Sequence, residues 1–232
     1  MISISTKQVE LFDQAIGIRF VDKLLALLRE EFPVCFRGLP DFVCKTMVVN
    51  GIQASLRCGF TLQSYIGGFV ALQCNSSPDF FLHPTIAKTL AISNREKLKY
   101  HYLMNNVPKP IWNEIKLSTN PMAWFNNNNN NQAIARLSYH VCSVFPKITN
   151  IQSEAQLFLL FTIAKEKAAR YGVNWEEGIA IFAVALALYG SRLDEINGPT
   201  WSKKVFFPSR LSPEKISNLL RLRILLDTDK II

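Results

Sequence analysis

Apolar residues recur every three or four positions over most of the chain, which is the spacing of one face of an α-helix. The clearest such stripe lies near the N-terminus and consists of Val9, Phe12, Ile16, Phe20, Leu24 and Leu27. No stretch alternates apolar and polar residues with the period of two that a half-buried strand requires. Asn50-Gly51, a dipeptide common in hairpin turns, lies inside a helical pattern. We therefore predict an all-α fold.

The first half of the chain contains start and stop signals for three helices. A capping box at Ser5-x-x-Gln8 predicts a long helix that ends near Glu31, just before a Phe-Pro dipeptide. A second helix is predicted from Pro40 to about Arg57. Gly59 suits a left-handed helix terminus, and Thr61 is expected to cap a third helix that continues through Asn75.

The second half repeats this order of signals. A helix leads into Phe145-Pro146, and the next helix is predicted from about Ser153 to Arg170. Gly172 supplies the turn, and Asn174 is expected to cap the following helix together with Glu177. The last helix is predicted to begin at Ser212-Pro213, with serine as the cap and proline in the first helical position.

The repeated signals share one offset of 113 residues, which predicts an internal duplication. Phe32-Pro33 returns as Phe145-Pro146, and Arg57-x-Gly59 returns as Arg170-x-Gly172 at that offset. The alternative to duplication is that two unrelated segments have similar helical patterns by convergence. We predict two tandem copies, residues 1–106 and 133–232, that pack into one body. An Asn- and Pro-rich linker, residues 107–132, joins them, and its first half is expected to pack against a copy.

The composition favours a folded protein in a reducing compartment. Hydrophobic residues make up 49% and charged residues 19% of the chain, which is unlike a disordered sequence. The five cysteines are odd in number and none forms a C-x-x-C pair, so free thiols are expected. The apolar run Ile179–Leu188 is about half the length of a membrane span and is predicted to be a buried core helix. Without a signal peptide pattern at the N-terminus, we expect a cytoplasmic protein.

Because the net charge is +8, nucleic-acid binding has to be considered. The excess is spread evenly over the two halves without a basic tail, so an ordinary basic surface is the better interpretation. Basic residues gather near the end of each predicted copy, which indicates either a solvated face or a surface for an acidic partner protein. With exposed tryptophans as anchors, the predicted partner-binding residues are Lys97, Lys99, Trp112, Trp124, Trp201, Lys203, Lys204, Arg210, Arg221 and Arg223.

Residue patterns of an active site are not found. His83 is the best single candidate, but its position after Asp79 and before a proline favours a role in capping a turn. No H-E-x-x-H, P-loop, G-x-G-x-x-G or G-x-S-x-G pattern is present. We therefore predict no catalytic residue, no cofactor and no metal, and a helical enzyme with a dispersed site remains an alternative.

Several short strings together resemble a known class of proteins. They are Phe32-Pro33, Asn50-Gly51-Ile52, Arg57-Cys58-Gly59-Phe60 and Asp79-x-x-x-His83-Pro84. The chain resembles small helical accessory proteins encoded in type VI secretion effector and spike gene clusters. The match covers about residues 5–100, and Cys58 stands where the pattern has a tyrosine.

This resemblance implies a cytoplasmic accessory protein that binds a secreted effector, a toxin or its loading adaptor. Two roles compete. An adaptor or co-chaperone would need a surface for apolar or helical segments of the effector. An immunity protein would instead bind the toxin and neutralise it, commonly with charge opposite to that of the toxin's active site.

Overall fold

The computed structural model describes residues 6–125, 132–144, 154–207 and 211–228. Within these ranges all regular secondary structure is helical, with twelve α-helices and two short 3-10 turns and no strand. The predicted all-α fold is thus confirmed. The chain divides into two compact units, of which the first holds Met1–Arg37 with Cys44–Asn128 and the second holds Gly38–Val43 with Asn129–Ile232.

Unit 1 contains a long N-terminal helix followed by six shorter ones. Its helices are α1 (Thr6–Glu31), α2 (Pro33–Phe36), α3 (Asp41–Arg57), α4 (Gln63–Asn75), α5 (Pro84–Ala91), α6 (Glu96–Asn105) and α7 (Lys109–Leu117). The 3-10 turns lie at Phe80–Leu82 and Pro121–Phe125. The bounds of α3 agree with the second predicted helix to within one residue.

Aromatic side chains fill the core of unit 1. Phe60, Phe69 and Phe80 are fully buried, and they come from the turn after α3, from α4 and from the first 3-10 turn. The ring centres of Phe60 and Phe69 are 5.7 Å apart, and those of Phe69 and Phe80 are 4.9 Å apart. Both distances fall within the ~4.5–7 Å at which aromatic rings attract each other, so one continuous ring cluster joins three separate segments.

The turn after α3 is a Schellman cap. Gly59 has a φ of 80°, its amide donates to the carbonyl of Leu56 at 2.9 Å, and the amide of Phe60 donates to that of Ser55 at 3.1 Å. The predicted left-handed glycine is confirmed. The predicted cap at Thr61 is wrong, because its amide and hydroxyl donate to the carboxylate of Glu96 on α6.

The segment predicted to be a linker begins inside unit 1. Helix α7 lies within it, and Val107 and Ile115 are buried in the aromatic core. Trp112 packs against Phe80 with 5.8 Å between the ring centres. The six consecutive asparagines of this segment lie outside the described residues.

Unit 2 is built around one apolar helix. Its helices are α8 (Ala133–Val144), α9 (Glu154–Arg170), α10 (Glu176–Tyr189), α11 (Lys203–Phe206) and α12 (Pro213–Thr228). Every residue of α10 from Gly178 to Leu186 is buried, which explains why this run is apolar on all faces and confirms that it is a core helix. Among the described helices, none combines the length and the hydropathy needed to cross a membrane.

The helix ends of unit 2 agree with the predictions in two places out of three. Gly172 has a φ of 74°, and Ser212 caps α12 by accepting from the amide of Lys215 at 3.3 Å. The predicted cap at Asn174 is wrong, because α10 starts one residue later, after Trp175, and has no side-chain cap. Phe145-Pro146 lies outside the described residues.

Candidate protein-binding groove

Lys97 and Lys99, the predicted partner-binding lysines of unit 1, lie in different environments. Lys97 is exposed, whereas Lys99 is only 7% exposed. The ammonium of Lys99 donates to the carbonyl of Cys58 at 2.7 Å and lies 5.6 Å from the ring centre of Phe60. The expectation that Lys99 faces a partner is therefore wrong, because its charge caps the C-terminus of α3.

The three tryptophans expected to be exposed anchors are built into the two units. Trp124 is 6% exposed, and its carbonyl accepts a hydrogen bond from the Asn50 side chain at 2.7 Å. Trp112 is half-buried in the aromatic core, and Trp201 is half-buried against Tyr189 with 4.9 Å between ring centres. Their exposure was wrongly predicted, because a large ring gains more from burial than from solvent.

The basic residues predicted in unit 2 differ in what they contact. Lys203 and Lys204 are exposed on the short helix α11. Arg221 pairs with Glu177 at 3.2 Å, and Arg223 pairs with Asp227 at 2.8 Å while its guanidinium lies over Trp201. Arg210 lies outside the described residues.

His83 acts as a helix cap, which confirms the structural role predicted for it. Its Nδ1 accepts from the amide of Thr85 at 3.3 Å at the start of α5, and its Nε2 lies 3.7 Å from the carboxylate of Glu114. Across the described ranges, no three His, Cys, Asp or Glu side chains converge on a point where a metal ion could bind.

An apolar depression on unit 1 lies between α1 and α4, and we call it the α1–α4 groove. Its volume is about 480 Å³, within the range of ~300–1,000 Å³ that is usual for binding pockets. From α1 and the residue after it come Phe20, Lys23, Leu24, Leu27, Leu28, Glu31 and Phe32, and from α4 come Gln63, Ser64, Gly67, Gly68 and Ala71. Leu27 is 59% exposed, so a large apolar side chain stands open at this groove.

Small residues on α4 create the depression. Gly67, Gly68 and Ala71 line it with no side chain or only a methyl group. A Cβ on Gly67 would come no closer than 3.6 Å to Leu24, its nearest neighbour. Because these three residues project no more than a methyl group, this part of α4 leaves the groove open beside α1.

Opposite charges lie on the α1 side of the groove. Lys23 and Glu31 both line it and both are exposed. Eight residues of α-helix separate them, which corresponds to a rise of about 12 Å. The apolar part of the groove therefore spans about two helical turns between a cation and an anion.

A second, smaller cavity of about 210 Å³ lies elsewhere in unit 1, with Asn50, Arg57, Gln73 and Asp79 among its lining residues. Gln73 is 4% exposed, and its Nε2 donates to the carbonyl of Pro78 at 2.6 Å, whereas its Oε1 has no partner. The cavity exceeds the ~10–15 Å³ that one water requires and lies below the usual size of a ligand pocket. The simplest occupant of this cavity is therefore bound water.

Sequence reasoning missed the α1–α4 groove, although its signal is present. Ser64, Gly67, Gly68 and Ala71 follow one another at helical spacing of three and four, which places small residues on one face of α4. A glycine pair inside a helix, such as Gly67-Gly68, is expected to allow another helix to pack closely. That expectation holds for Gly68, which lies against Tyr100, but the same pattern also leaves room beside α1.

Comparison with known proteins adds no relative, since no family model, no curated protein and no solved structure matches this chain. The groove, its charges and its small residues are therefore the features from which a function can be argued.

Proposed function

We propose that this chain is a non-catalytic protein-binding factor that holds an amphipathic helix of its partner in the α1–α4 groove. The observation that carries the proposal is the open apolar groove with Leu27 exposed on its wall. In line with the resemblance to type VI accessory proteins, the partner would be a secreted effector or its loading protein. The chain would then serve as a cytoplasmic adaptor or co-chaperone.

The dimensions and charges of the groove suit a helix. A helix docks in such a groove through apolar side chains spaced three or four residues apart, and about two turns fit between Lys23 and Glu31. Small residues on α4 let the docked helix approach closely. We expect the partner helix to carry an acidic residue near Lys23 and a basic residue near Glu31, with leucine-like residues between them.

We also propose that the two units are copies of one helical unit. Helices α3 and α9 are both 17 residues long, and α9 begins and ends 113 residues after α3. The Schellman cap supports the same relationship. The amide of Gly172 donates to the carbonyl of Ala169 and that of Val173 donates to Ala168, each at 3.0 Å, as the corresponding residues do after α3.

Burial on α4 and α10 supports the duplication further. Ile66 and Phe69 are buried on α4, and Ile179 and Phe182 are buried 113 residues later on α10. Their neighbours differ in size. Where α4 has Gly67, Gly68 and Ala71, α10 has Ala180, Ile181 and Val184, all of them buried.

On this proposal the groove of unit 1 has no open counterpart at the matching described positions of α10. The larger residues of α10 fill the position that stays open in unit 1. In unit 2 an ion pair of 2.8 Å between Arg136 and Glu176 also links α8 to α10. The divergence supports a binding role for unit 1 and a structural role for the matching face of unit 2.

An immunity role is the second candidate, and the exposed Lys203 and Lys204 on unit 2 favour it. An immunity protein would use such cations to bind an acidic toxin surface. It would protect cells from the toxin whether or not secretion operates. An adaptor would instead be needed for export of the effector.

The experiment is co-purification of the chain with each product of its neighbouring genes, followed by affinity measurement on any complex. Leu27→Lys places a charge in the groove and Ala71→Leu fills it, so each should weaken binding at least 10-fold, or about 1.4 kcal/mol. Ile92→Lys is the matched control, because Ile92 is 62% exposed on the same unit and lies outside the groove.

Two cellular readouts separate the roles. Deletion of the gene should abolish export of the effector if the chain is an adaptor. Rescue from toxicity that persists in a secretion-deficient strain, and that Lys203→Glu with Lys204→Glu removes, would contradict the adaptor role and establish immunity.

A further inference from the structure

Two cysteines from distant parts of unit 1 lie side by side. The thiol of Cys35, on α2, donates to the carbonyl oxygen of Cys74, near the end of α4, with a Sγ–O distance of 3.1 Å. Both residues are half-buried, so a small reagent can reach them, whereas Cys44 is completely buried. No disulfide is formed by either cysteine in this structure.

We propose that Cys35 and Cys74 are a redox modification site that closes reversibly to a disulfide when the chain meets a peroxide. The Cys35 thiolate attacks one peroxide oxygen, the O–O bond breaks, and a sulfenic acid forms on Cys35. The Cys74 thiol then attacks that sulfur, and the hydroxyl group leaves as water. In total, two thiols and one hydrogen peroxide give one disulfide and two waters.

The surroundings of the two thiols give them different roles. A hydrogen bond from the Cys74 thiol lowers the pKa of Cys35, although burial opposes this, and the same contact raises the pKa of Cys74. The hydrogen bond that the Cys35 thiol donates to the Cys74 carbonyl opposes this lowering, because that bond is lost when the thiol ionises. Burial raises the pKa of Cys58. Cys35 is thus the attacking sulfur, and Cys74 resolves the sulfenic acid.

The backbone around Cys35 can adjust to the short S–S bond of about 2.05 Å. Cys35 lies on a helix of only four residues, and Gly38, with a φ of 73° and open space around it, follows shortly after. Closure of the disulfide requires α2 to rotate so that the two sulfurs meet. The disulfide would tie α2 to α4 just beyond Phe32 and Ala71 of the groove, a consequence for binding that rests on the proposed function.

The test uses the full chain with Cys58→Ser, so that the tryptic peptide with Cys74 holds a single cysteine. Hydrogen peroxide should remove two hydrogens from the intact mass and join the peptides of Cys35 and Cys74, and dithiothreitol should separate them. Added Cys142→Ser should leave this product unchanged. In the Cys74→Ser variant the sulfenic acid on Cys35 should persist and react with dimedone.

The site would be refuted by a different intramolecular pair, by intermolecular disulfides only, or by dimedone labelling of Cys142 instead of Cys35. Circular dichroism of each variant before oxidation shows that the helices are intact. Because this assay needs no partner, its failure would leave the groove proposal standing, and failure of the groove proposal would leave the disulfide standing.

Discussion

The backbone of Gly68 lies directly against the phenol of Tyr100, so that a Cβ on Gly68 would stand 2.3 Å from the hydroxyl oxygen. Tyr100 in turn packs on Tyr65 with 5.3 Å between the ring centres. The tyrosine ring thus occupies the space beside α4 that any side chain at Gly68 would need. This contact fixes α6 against α4 on one side of the glycine pair.

The adjacent glycines allow a matched test of this contact. Gly68→Ala forces the Tyr100 ring to move, whereas Gly67→Ala adds a methyl group with its nearest neighbour, Leu24, at an ordinary 3.6 Å. We expect Gly68→Ala to be less stable than Gly67→Ala by about 1–3 kcal/mol. Urea unfolding followed by circular dichroism measures the difference. Equal free energies of unfolding would show that the Tyr100 ring moves aside without destabilising the fold.

The buried ammonium of Lys99 provides a second prediction. Lys99→Met keeps most of the side-chain volume but leaves the carbonyl of Cys58 without its charged donor, so unit 1 should lose about 1–3 kcal/mol. Lys97→Met, on the exposed side of the same helix, should change stability by less than about 0.5 kcal/mol. Thermal unfolding of both variants checks this. A loss of the same size in both would contradict the capping role.

Tyr171 and Tyr189 should make the stability of unit 2 sensitive to alkali. Burial, together with Asp194 for Tyr171 and Asp227 for Tyr189, raises the pKa of each phenol to about 12, against about 10 in an unfolded chain. The folded state therefore holds these protons more tightly. Stability from this source is complete below pH 10 and is lost as the pH rises from about 10 to 12.

Tyrosinate absorbance follows this titration directly. The wild-type chain should show a late step near pH 12 that Tyr171→Phe and Tyr189→Phe each reduce and the double variant abolishes. Titration in urea should instead have its midpoint near pH 10. If a late step persists in the double variant, the raised pKa values belong to other tyrosines.

Helix positions were predictable from local signals, because the residues that end a helix lie next to it. Gly59 and Gly172 adopt the left-handed conformation expected of them, and the bounds of α3 and α9 agree with the predicted ones to within one residue. Thr61 shows where local reasoning fails. The amides at the start of α4 are satisfied by Glu96, which lies 35 residues away from Thr61.

The exposure expected of Lys99 and Trp124 was wrong for the same reason. The burial of Lys99 and Trp124 depends on partners 41 and 74 positions away, Cys58 and Asn50, which no local pattern reveals. The α1–α4 groove likewise depends on two segments that meet only after folding. Its small residues could be read from the sequence, but the exposure of Leu27 opposite them could not.

The most direct test of the proposed function is methyl and amide NMR of the chain titrated with its purified partner. We expect the largest shifts at the methyl groups of Leu24, Leu27 and Leu28 and at the amides of Gly67 and Gly68, with Ile92 unaffected. Shifts confined to unit 2, for example around Lys203 and Lys204, would contradict the account.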